Sequence, residues 1–120
     1  MYSDISPIDW AWIAGLLEGE GHFNISNTFC RIQLSMTDED VVAKYAKLLG
    51  INVRTQDMSK YNPKAKISFR ADVTHRKKVA AVLTAIFPFM SARRKETIKE
   101  MVEIYKAKNY GFPLPDVNAT

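Results

Sequence analysis

Ile13-Ala14-Gly15-Leu16-Leu17-Glu18-Gly19-Glu20-Gly21 closes an apolar helix and runs straight into alternating residues, and its reading decides the fold. At about 100° per residue, one helix face collects Ile8, Ala11, Trp12, Gly15, Glu18 and Gly19. The other side collects Trp10, Ile13, Leu16 and Leu17. A surface helix needs one apolar stripe, and this one has two. Each internal glycine costs roughly 1 kcal/mol relative to alanine. Gly15 and Gly19 lie one turn apart, so close approach of a second helix is the natural offset.

Glu20 ends the helix, where the macrodipole is negative and a carboxylate is disfavoured. A bound cation reverses that argument; simple solvation of the side chain is the plainer alternative. The nine residues resemble the LAGLIDADG motif of the homing endonucleases. Ile replaces the first Leu, Leu replaces Ile, Glu replaces both Asp, and Gly replaces the second Ala.

The 120 residues suffice for one domain with its own core. No apolar run approaches the ~20 residues of a membrane span, so no membrane partner is expected. Met-Tyr-Ser-Asp-Ile has none of the basic and apolar regions of a signal peptide. A lone cysteine, Cys30, suits a reducing compartment, and the expected location is intracellular: a prokaryotic or phage-infected cytoplasm, or an organelle. Two histidines and one cysteine do not make a structural zinc site. Residues 1–50 carry three Lys/Arg against seven acids, a balance of −4, whereas residues 51–120 carry fourteen against six, or +8. A basic surface of that kind fits a polyanionic partner.

Ser6-Pro7-Ile8-Asp9 reads as a helix start, with Ser as N-cap and Pro at the first helical position, for a helix over 7–20. His22, Asn24 and Ser26 then alternate with Phe23 and Ile25. After a turn near residues 27–30, Arg31, Gln33 and Ser35 alternate with Ile32, Leu34 and Met36, giving a hairpin with one polar face. Thr37-Asp38-Glu39-Asp40 caps a second helix that Gly50 ends. A second hairpin alternates Arg54 and Gln56 with Val53 and Thr55, then Lys66, Ser68 and Arg70 with Ile67, Phe69 and Ala71. Thr74 or Asp72 is read as the cap of a third helix, Ser91 as that of a fourth, through roughly Lys108. The domain is expected over 1–110, followed by a loose, irregular tail over 111–120. The fold class is α+β, in the order αββαββαα: a four-stranded antiparallel sheet with helices on one face.

The other sheet face would hold His22, Asn24, Ser26, Arg31, Gln33, Ser35, Arg54, Gln56, Lys66, Ser68 and Arg70, with no acid and no aromatic among them. Arg and Lys pair with guanine, Asn and Gln with adenine, and Ser with either. An ordinary solvated face would mix in Asp and Glu. An antiparallel ribbon fits the major groove of B-DNA but not the deep, narrow groove of A-form RNA.

The resemblance covers about residues 8–108, including Pro88-Phe89-Met90-Ser91-Ala92-Arg93-Arg94-Lys95, which is similar to the family's proline-aromatic-leucine stretch with its basic residue. It implies a saddle-shaped sheet in the DNA major groove and a homodimer packed through the motif helices at Ile8, Trp12, Gly15, Glu18 and Gly19. It also implies double-strand cleavage of a roughly palindromic site using divalent metal, most commonly Mg2+. Carried over, Glu20 holds the metal with the Gly19 carbonyl, Arg93 stabilises charge, and Asp38 falls near the catalytic water. Asp38 is equally well explained as helix capping, the reading favoured here. Arg93 stays protonated at neutral pH and cannot act as a base. Glu18 is expected to contact partner backbone rather than metal. The expected function is a site-specific homing endonuclease of intron or intein mobility. A non-catalytic nucleic-acid binder on the same scaffold, a transcription regulator or intron maturase, is the alternative. A protein-interaction module is the third.

Overall fold

In the computed structural model, which describes residues 2–118, the first helix α1 spans Pro7–Glu20. Its start follows from the sequence: the Ser6 hydroxyl accepts a bond from the Asp9 N–H at 3.1 Å, and Pro7 opens the first turn. Strand β1, Gly21–Ser26, begins with no intervening loop. Gly21 makes that junction possible, since a Cβ there would lie 2.7 Å from the Leu17 carbonyl oxygen. The Gly21 N–H closes α1 on that same carbonyl.

The remaining elements are β2 (Phe29–Met36), α2 (Glu39–Leu49), β3 (Arg54–Gln56), β4 (Ser68–Val73), α3 (Arg76–Ile86), a 3-10 turn over Phe87–Phe89 and α4 (Ala92–Lys108). The strands form one antiparallel sheet in the order β1-β2-β4-β3. Phe23, Ile32, Leu34, Ala71 and Val73 line its buried side. Against them pack the apolar stripes of the helices, with Leu17, Tyr45, Leu83 and Met101 fully buried. Among the described residues the opposite sheet face carries no helix. Among the described residues no helix is long and apolar enough to cross a membrane.

Several boundaries differ from expectation. The first hairpin turns on Asn27-Thr28 alone, Asn27 taking a left-handed φ of 57° that asparagine tolerates. The second hairpin is shorter than its alternation predicts. Val53 and Thr55 are exposed rather than inward, and the ladder resumes only at Ser68. Between them the Met58 carbonyl accepts from Tyr61 and Asn62, so local turns replace edge pairing over that stretch.

Asp72 does not cap α3. It extends β4, because Ala71 and Val73 on either side of it must both reach the core. His75 takes the N-cap position without a side-chain bond. Asp38 stands at the N-cap of α2, also without one. The tail is irregular as expected but not loose over its described part. Tyr110 and Phe112 pack edge-on against Tyr105, and Val117 joins the core. Ala119 and Thr120 of that expected tail lie outside the described residues.

Candidate nucleic-acid interface and the end of the motif helix

Strand register assembles the polar face in cross-strand rows. His22 pairs with Gln33, which pairs with Asp72. Asn24 pairs with Arg31, Ser35 with Arg70 and Arg70 with Arg54, while Gln56 pairs with Ser68. Lys66 alone of the expected residues falls outside a strand, in the link before β4. Asn24 donates to the Gln33 side chain at 3.4 Å.

Two residues of this face were not expected. Phe29, paired with Ser26, is half exposed at the hairpin tip, with the Arg31 guanidinium 5.8 Å from its ring centre. The face therefore does present an aromatic. Extending the Arg31, Gln33, Ser35 alternation backwards finds it. Asp72, the second, is an acid on a face expected to have none. Its carboxylate accepts from Arg54 Nη2 at 3.0 Å and from Arg70 Nε at 3.0 Å to each oxygen. Continuing Ser68, Arg70 by two reaches it. The pair of ion bridges fixes two guanidiniums side by side, with donors left over on each.

At the opposite end of α1 from Ser6, Glu20 is exposed. The Gly21–Leu34 pairing sets that end beside the end of β2 that leads into Asp38, itself exposed. Glu18 has a different setting from the one expected. Its carboxylate accepts from the Ser91 N–H and, at 3.1 Å, from the Ser91 hydroxyl. Arg94 Nη2 donates to the Glu18 carbonyl at 3.2 Å, and Arg94 Nε lies 3.6 Å from the carboxylate. The Ser91 N–H bond above all, joined by the Ser91 hydroxyl and the charges of Arg94 and Arg93, holds the Glu18 carboxyl below its usual range, against an opposing effect of burial that is second only to that bond. Glu18 is thus engaged by its own chain, because its side chain reaches the positive end of α4. Arg94, over the Phe23 ring, was missed; it is a residue of α4 rather than of the motif. Arg93 is exposed.

No group of three or more His, Cys, Asp or Glu gathers among the described residues. The second face of α1 is uncovered: Ile8 is 81% exposed, and a Cβ at Gly15 or Gly19 would meet nothing within 4 Å. Trp12 is partly covered by Lys44, whose Nζ lies 4.2 Å from its ring centre.

Residues 8–86 match the family model of a LAGLIDADG-like domain. The chain belongs to the LAGLIDADG family. No curated protein sequence matches it. Among solved structures it is similar to the homing endonuclease I-CvuI in complex with its target in 2 mM Ca, at 17% identity and a TM-score of 0.65, covering 86% of this chain and 69% of that one. A second complex of I-CvuI, with the I-CreI target in 2 mM Mg and its DNA not cleaved, gives 15% identity and a TM-score of 0.59, covering 85% and 69%. The archaeal intron-encoded homing endonuclease I-Vdi141I, complexed with DNA, gives 15% identity and a TM-score of 0.56, covering 92% and 91%. These likenesses establish that the chain has the LAGLIDADG fold: an open four-stranded antiparallel sheet with its helices on one side.

Proposed function

We propose that this LAGLIDADG protein is a site-specific DNA endonuclease that works as a homodimer and makes metal-dependent double-strand breaks, serving intron or intein mobility inside a cell. One observation carries the reading. Gly15 and Gly19 have open space where a Cβ would stand, so nothing in their own chain requires them to be small. A second copy of α1 packed on that face explains the glycines and the bare Ile8 together. It also brings two Glu20 residues to a common axis, one for each strand to be cut.

The solved homing endonucleases are bound to DNA. Here the bare sheet face supplies His22, Asn24, Gln33, Arg54 and Arg70 for base edges in the major groove of a roughly palindromic site, with Arg31 and Lys66 toward phosphates.

A six-coordinate hard cation needs more oxygen than Glu20 offers, and among the described residues this exposed carboxylate joins no group of three or more His, Cys, Asp or Glu. A site shared between two copies would hold the cation with Glu20 and the Gly19 carbonyl of each. Magnesium bound there would supply Lewis acidity and an activated water. Glu20 holds negative charge at the α1 terminus for that purpose. Arg93, permanently charged, stabilises the charge developing on phosphate. Glu18, Ser91 and Arg94 keep the α4 start, and Arg93 with it, against the α1 end. Asp38, exposed and making no side-chain cap bond to α2 from its N-cap position, is proposed to order water there.

Incubating the protein with a randomised duplex library and magnesium tests the reading. Recovery of cut ends sharing one site supports it. Selective binding without cutting would mark a non-catalytic binder on the same scaffold.

A further inference from the structure

Phe29 breaks the chemistry of the sheet face. It shares the parity of Arg31, Gln33 and Ser35 on β2, so its ring belongs to the polar side, and it is 51% exposed. Its cross-strand partner, Ser26, is itself exposed and too short to cover the ring. The Arg31 guanidinium lies 5.8 Å from the ring centre, within reach of a cation–π contact. Among the described residues Arg31 Nε is closed off without a hydrogen-bond partner, so this partly exposed side chain is left with its terminal Nη donors. An open ring and a permanently charged fork thus stand side by side at the hairpin tip.

The register sets this pair at the end of the hairpin away from the motif. Gly21 pairs with Leu34 at the end of α1, and Ser26 pairs with Phe29 at the other extreme. At roughly 3.4 Å per residue, Phe29 lies roughly 17 Å along β2 from Leu34. That span matches about five base-pair steps of duplex. A ring presented to the major groove meets base edges, not base faces. The groups displayed there are polar acceptors and amino donors, and the thymine C5-methyl is the apolar one. That methyl stands at the side of the groove, near the backbone of its own strand, where an adjoining guanidinium reaches a phosphate.

We infer that Phe29 is a specificity-determining residue that reads the C5-methyl of a thymine in the outer part of each half-site, with Arg31 beside it on the neighbouring phosphate. The inference rests on the DNA-binding part of the reading above and not on cleavage.

The test selects duplexes from a randomised library with the full chain in calcium. Each thymine of the recovered site is then replaced singly by deoxyuridine, which lacks only the methyl. Affinities are measured for the parent, Phe29→Ser, Phe29→Leu and Arg31→Gln. The selected half-site should contain an outer thymine at which deoxyuridine weakens parental binding by about fourfold, the worth of one buried methyl group. Phe29→Ser should bind the two duplexes equally, while Phe29→Leu, still apolar, should keep the preference. Arg31→Gln should keep it too, and lower the salt slope by about one. The contact is overturned if no outer thymine is selected, or if deoxyuridine is tolerated at every outer thymine. It is also overturned if Phe29→Ser discriminates as the parent does, or if Phe29→Leu discriminates no better than Phe29→Ser. In each of these outcomes the protein still selects a site, so the DNA reading stands. Recovery of no selected duplex would instead overturn the DNA reading, and this inference with it.

Discussion

Ser91 gives both its backbone N–H and its hydroxyl to the carboxylate of Glu18, a residue 73 positions earlier in the chain. The same hydroxyl accepts from the Arg94 N–H at 3.4 Å as the cap of α4. One motif acid therefore sets the start of the last helix. These bonds depress the Glu18 pKa, so its contribution to stability is present above the unfolded carboxyl range and lost as pH falls through the folded value. The parent should lose stability below about pH 4.5 faster than Glu18→Gln, which has no charge to lose. At neutral pH the variant should be weaker by on the order of 1 kcal/mol, a partly screened charged hydrogen bond. Urea unfolding at pH 7 and pH 3.5 checks both; a difference that does not shrink in acid would show that the charge is immaterial.

Asp72 sits between Arg54 and Arg70 and neutralises part of the sheet face. Asp72→Asn should release both guanidiniums to phosphates, steepening the salt dependence of DNA binding by about one charge and raising affinity for unrelated duplexes. Arg70→Ala or Arg54→Ala should cost about 1–3 kcal/mol at one position per half-site where the residue reads a base. Gel-shift titrations at several salt concentrations decide this. Unchanged slopes for all three would remove the sheet from the interface.

Asp72 also marks where sequence stops deciding structure. Asp72 and Thr74 look like helix caps, and local chemistry supports that as well as it supports a strand. The pairing of β4 with β2, across the intervening α2 and β3, settles it by carrying Val73 opposite Ile32. Phe29 was hidden similarly, by the turn being only two residues. Helix starts written in local code, Ser6-Pro7 and Ser91, were legible to the residue. Glu18 was read on the α1 face of Gly15 and Gly19, whereas its bonds run to Ser91, which comes from α4. No periodicity reports such a contact.

Gly21 and Gly15 should respond oppositely to added side chains. Gly21→Ala forces a Cβ onto the Leu17 carbonyl and should destabilise the fold by about 1–3 kcal/mol. Gly15→Ala has open space and should stabilise the isolated chain by about 1 kcal/mol through helix propensity. Gly15→Leu keeps the monomer folded but fills the face proposed for the second copy. Sedimentation should show the parent as a dimer and Gly15→Leu as a monomer. A dimeric Gly15→Leu would move the interface elsewhere.

The last prediction concerns Glu20 and Arg93. Glu20→Gln preserves size and hydrogen bonding but removes the charge needed for a hard cation. DNA binding in calcium should persist, and tighten slightly as one negative charge leaves the phosphate surface. Magnesium-dependent cleavage should fall by two orders of magnitude or more, about 3 kcal/mol in the barrier. Arg93→Lys keeps a positive charge and should retain part of the activity, whereas Arg93→Ala should lose most of it. Cleavage of a selected site by each purified variant, with affinity measured alongside, separates chemistry from binding. Should Glu20→Gln cut at the parental rate, Glu20 would not be the metal ligand, and the motif would serve only to pack α1 against its partner.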